Sequence, residues 1–105
     1  MESIRDLAAF SHSLQQPAPP AGLAPLVEAL WWEAHGDWHR AHEIAQEIET
    51  GPQARNAAWV HAFLHRSEGD AANAAYWYRR AGQPVASVPL EQERCSIVAA
   101  LLLQD

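Results

Sequence analysis

The 105-residue chain has no lysine, a single cysteine and no long apolar run, and each scarcity removes a class of protein. Cys95 alone cannot form an internal disulfide, so the fold does not depend on an oxidising compartment. No histidine lies near Cys95 in sequence and Arg94 points away from it on a helix, so an inert, buried thiol is expected. The longest apolar run, Ile97 to Leu103, falls far short of the ~18 residues of a membrane span. The start, Met1 to Asp6, has neither the basic region nor the apolar core of a signal peptide, which points to the cytoplasm. All the cations are arginines, and they are outnumbered by acids to give a net charge of −6. Arg79 and Arg80 are the only adjacent pair, so the positive footprint of a nucleic-acid binder is missing. There is no HExxH, cysteine cluster, phosphate loop, nucleophile elbow or paired-carboxylate motif. The sequence therefore assigns no catalytic residue and calls for no cofactor, and a non-enzymatic role is expected.

What is present is the composition of one globular domain: 49% hydrophobic and 19% charged residues, with five tryptophans supplying large apolar surfaces. No segment alternates as a strand would, and the apolar spacing predicts an all-α fold of about six helices. The first covers residues 2–15, with Ile4, Leu7, Ser11 and Leu14 on one stripe and Ala8 beside it. Prolines in the linker 17–22 stop it, and this linker either holds that helix against the rest or lets it swing. Two helical pairs follow, at 23–50 and 52–82, with breaks at Gly36-Asp37, Gly51-Pro52 and Gly69-Asp70. A last helix, 89–105, places Leu90, Arg94, Ile97, Val98 and Leu101 at helical spacing. Its run from Ile97 to Leu103 is apolar on every side, so the helix caps the second pair or is shared with another copy as a homodimer interface.

The chain also repeats itself. Gly36-Asp37 recurs as Gly69-Asp70, and at the same offset Ala29 maps to Ala62, Ala41 to Ala74 and Ile44 to Trp77. Small residues in register let helix axes approach, and a glycine at each corner permits a tight reversal. On these residues the chain resembles the tetratricopeptide family, whose period is ~34 residues. Ala29, Gly36, Trp38 and Ala41 match in the first copy, and Ala62, Gly69 and Ala74 in the second. The copies are one residue short, Ala71 replaces the aromatic after the second turn, and His65 stands where an aromatic is usual. The run Ala58 to Arg66, with Glu68-Gly69-Asp70 and Asn73 to Ala81, is also similar to a group of short bacterial proteins of unknown function. The tetratricopeptide resemblance implies a superhelix of two hairpins with flanking helices that binds a protein or peptide. The partner-contact candidates are Trp59, Phe63, Arg66, Asn73 and Tyr76.

Histidines are the strongest chemical signal. His61 and His65 lie four apart on one helix, a workable spacing for two zinc ligands, and His39 and His42 lie three apart on another. The structural reading places His35 and His65 at helix C-termini, where imidazoles interact with the last carbonyls, and the others at the surface or in hydrogen-bonded packing positions. The alternative is a histidine-lined site for a divalent metal or small molecule, built from His61 and His65 with His39 or His42. Convergence of three imidazoles in the folded chain separates the two. Trp77 is expected in the core. Tyr76 is expected either at the surface as a contact residue or packed beneath the last helix. Arg66, Arg79 and Arg80 suit the final turns of their helices.

Overall fold

The structure, a computed structural model, describes residues 6–48 and 50–104. Six helices and no strand are found among them: α1 (Leu7–Ser13), α2 (Pro25–Ala34), α3 (Trp38–Gln46), α4 (Ala54–Ser67), α5 (Ala71–Ala81) and α6 (Leu90–Leu102). Helices α2, α4 and α6 are a residue or two shorter at each end than the apolar spacing predicts, because end residues lack intrahelical partners and turn out of the helix, while α5 covers the expected residues. Ile4 of the expected first stripe lies outside the described residues.

The repeat is written in hydrogen bonds as well as letters. Asp37 N–H donates to Trp32 O at 2.8 Å, and thirty-three residues on Asp70 N–H donates to His65 O at 2.9 Å. Gly36 and Gly69, with φ of 95° and 90°, supply the left-handed residue this helix ending requires. Each aspartate then caps the next helix: Asp37 Oδ1 accepts from Arg40 N–H and Asp70 Oδ1 from Asn73 N–H, both at 3.1 Å. One device thus ends α2 and starts α3, and the same device ends α4 and starts α5. Ala29, Ala41, Ala62 and Ala74 are all buried, as close axis approach demands.

The main core joins Leu30 and Trp31 of α2, Ala41 and Ala45 of α3, Val60, Phe63 and Leu64 of α4, and Ile97, Val98 and Leu101 of α6. A smaller cluster of Ala62, Ala74 and Tyr78 seats α5 on α4. Tyr78 is the fully buried aromatic of α5, while Trp77 is only half-buried beside that cluster. The first helix is folded back against the rest. Phe10 enters the core, Trp31 Nε1–H donates to Ser13 Oγ at 3.2 Å, and His35 Nε2 lies 3.0 Å from Gln16 O while its ring stacks on Trp31. The inward stripe of α1 is Leu7, Phe10, Ser13 and Leu14; Ala8 and Ser11 face solvent, because Phe10 has more apolar area to bury and sets the rotation of the helix. Helix α6 packs on α1, α2 and α4, which encloses its apolar surface on several sides. Leu101 is buried, Leu102 half-buried and Leu103 86% exposed.

Candidate metal centre

Helix α4 carries His61 and His65 one turn apart on its buried face, each 7% exposed. Helix α3 crosses it and brings His42 to the same place. Each of the three offers a ring nitrogen, and these nitrogens lie within 4.8 Å of one another. The closest pair is His42 Nε2 and His61 Nε2, 3.0 Å apart, so one ring donates a hydrogen bond to the other. His39, the fourth histidine considered for such a site, is exposed and stands outside the trio, meeting only the edge of Trp38.

Two indoles wall the trio. Trp38 stacks on His42, with centroids 4.8 Å apart and planes 12° from parallel, and its Nε1–H is fixed by donation to Leu64 O at 2.7 Å. Trp77 stacks on His61 at 3.8 Å, again 12° from parallel. These contacts hold the rings in place. Burial, followed by the neighbouring His65, lowers the pKa of His42. Burial pushes His61 down to about 4, with His42 and His65 adding to the shift. Both are therefore neutral at pH 7, the form that binds metals.

His65 differs from the other two in its outer partner. Its Nδ1 lies 2.7 Å from Glu68 Oε2. A carboxylate there accepts from Nδ1–H, which fixes the tautomer and leaves the lone pair on Nε2, the arrangement found behind metal-bound histidines. Tetrahedral zinc with bonds of about 2.1 Å sets its nitrogen ligands about 3.4 Å apart. The separations here, from 3.0 Å to at most 4.8 Å, bracket that value.

The candidate partner-contact residues scatter. Phe63 is fully buried, and Trp59 is half-buried between the two core clusters. Arg66 reaches Glu93 at 2.8 Å and the carbonyl of Val88, so it ties α4 to α6 and its leading loop. Asn73 is half-buried at the start of α5, and only Tyr76, 47% exposed, stands clear on the surface. Sequence reasoning missed Trp38 and Trp77 as walls and Glu68 as an outer partner. Spacing held a signal for Glu68, three residues beyond His65 at the cap of the same helix, and for Trp38, four before His42.

A larger groove, about 890 Å³, lies between the start of α2 and the end of α6. Among the described residues no ionisable side chain lines it. No protein-family model, curated protein or solved structure matches the chain.

Proposed function

We propose that the protein binds a divalent transition metal, of which zinc is the model case, through His42, His61 and His65. The observation that carries this reading is the convergence of three imidazoles from two helices on one point. Imidazole suits zinc, copper and nickel, and three protein ligands with an open fourth position is a recurrent arrangement for zinc. Three mutually close histidines also repel one another when protonated, so packing alone gives little reason to assemble them. Neutrality and the Glu68 contact both support a ligand role.

Equilibrium dialysis with Zn²⁺ at pH 7.5 tests it. One ion per chain is expected, bound more weakly in His42→Ala, His61→Ala and His65→Ala and unchanged in His39→Ala. Metal that binds only the native state also raises its stability, by about 2.7 kcal/mol at a hundredfold excess over Kd. Absence of saturable binding, or binding indifferent to His61→Ala, would end the proposal.

The peptide-binding reading implied by the tetratricopeptide resemblance is the second candidate. Exposed Tyr76, beneath the Arg80 guanidinium at 5.7 Å, is the observation in its favour. Phe63 and Arg66 give it little, since their surfaces are already used inside the chain.

A further inference from the structure

His61 is the member of the trio that reaches a second feature. His61 and Trp77 also line a pocket of about 590 Å³ between the end of α3, the first half of α4 and the end of α5. Its floor is apolar, formed by the buried Ala45, Ala57 and Ala58 with the Trp77 indole. Its rim carries the exposed Arg55, Arg80 and Glu47, one surplus positive charge among the described residues of a chain whose net charge is −6.

Both arginines are placed to receive an anion. Arg80 lies 5.2 Å over the ring of Trp77 and donates to Tyr76 Oη at 3.2 Å, so its fork is held above the pocket by the same indole that stacks on His61. Arg55 sits across from it, with one guanidinium nitrogen beside Gly82 at the end of α5. Neither forms an ion pair among the described residues.

Imidazole ligands bring no negative charge to a divalent ion, which favours an anion as the fourth ligand. A guanidinium fork matches a carboxylate in shape and charge. An alanine and indole floor favours a ligand with an apolar body, and the volume is in the range of small-molecule sites. Resting on the metal reading above, we propose that this pocket takes a small organic carboxylate with an apolar body. Its carboxylate completes the coordination of a metal held by His42, His61 and His65 and is countered by Arg55 and Arg80.

Cobalt separates this proposal from the one beneath it, because its visible bands report both binding and a change of ligand. The protein is loaded with Co²⁺ and titrated with benzoate, with benzamide as the neutral isostere and inorganic phosphate as a compact anion. Benzoate should shift the bands saturably, benzamide should not, and phosphate should act only at much higher concentration. Arg55→Gln with Arg80→Gln should weaken benzoate by about tenfold or more, the worth of a charge-assisted hydrogen bond, and leave Co²⁺ affinity unchanged. Arg80→Lys, which keeps the charge, should lose less. If Co²⁺ is not bound, the metal reading and this one fall together. If Co²⁺ binds but benzoate leaves its spectrum unchanged, or acts equally on the arginine variants, the pocket proposal alone is overturned.

Discussion

His42 on α3 and His61 on α4 face each other through their Nε2 atoms at 3.0 Å, with their rings 85° apart. A hydrogen bond of this kind needs one ring to carry the proton and the other to accept it, so it survives only while the pair is not fully protonated. Protonating both rings would turn the contact into a repulsion between two cations in a buried place.

Acid should therefore destabilise the metal-free fold. Burial, with the other two histidines, lowers the folded pKa of His61 to about 4, while in the unfolded chain it titrates near 6.5. Between those values the unfolded state holds the extra proton, so stability rises with pH across the window. It is complete above about pH 6.5 and is lost as pH falls toward 4, by roughly 2 kcal/mol after allowing for solvent screening. Urea melts of the apoprotein at several pH values should show a steeper decline for the parent than for His61→Gln. Parallel curves would mean that His61 is protonated as readily inside the fold as outside it.

Glu68 offers a test of how His65 is oriented. Removing an outer carboxylate behind a metal-bound histidine weakens metal binding by about ten- to a hundredfold. Glu68→Gln should reproduce the lower end of that range in dialysis with Zn²⁺. Its effect on the apoprotein should be small, because the Glu68 side chain is 38% exposed. An unchanged affinity would show that the 2.7 Å contact with Nδ1 does not hold the ligand ring.

A buried carboxylate on α6 predicts a different pattern. Glu93, 4% exposed, accepts from Tyr78 Oη–H at 2.5 Å and from Arg66 at 2.8 Å, joining α4, α5 and α6. Burial, with the Glu93 hydrogen bond, raises the pKa of Tyr78, so the phenol stays a donor. Arg66→Met should cost about 3–5 kcal/mol by leaving an uncompensated buried charge. Tyr78→Phe should cost about 1–3 kcal/mol through the lost donor. Adding Glu93→Gln to Arg66→Met should restore part of the loss. Equal urea midpoints for the single and double variants would show that charge is not the cause.

The end of α6 should grade by position. Leu101→Ala should cost about 2–5 kcal/mol, Leu102→Ala less, and Leu103→Ala under about 0.5 kcal/mol. Thermal melts will rank them. A Leu103→Ala variant that melts well below the parent, or whose melt becomes dependent on concentration, would place a second copy of the chain on this surface.

The helices and their corners were legible in the sequence because their causes are local. Gly36-Asp37 and Gly69-Asp70 specify a left-handed ending and a side-chain cap within a few residues, and the 33-residue offset carries through to matching hydrogen bonds. The His61–His65 pair was equally legible, since residues four apart on a helix share a face. The choice of His42 over His39 was not. It follows from how α3 crosses α4, which is set by packing of residues such as Ala41, Ala45, Val60 and Leu64, and spacing along one helix does not report the rotation of another. Repeat logic gave no help, because the counterparts of His42, His61 and His65 at that offset are Ala75, Glu28 and Trp32. Glu93 tells the same story: an acid is buried only where partners satisfy it, and those partners, Arg66 and Tyr78, arrive from two other helices. Local chemistry thus determined where the chain turns and which residues share a helix face, while the site itself, assembled across helices, was decided by tertiary packing.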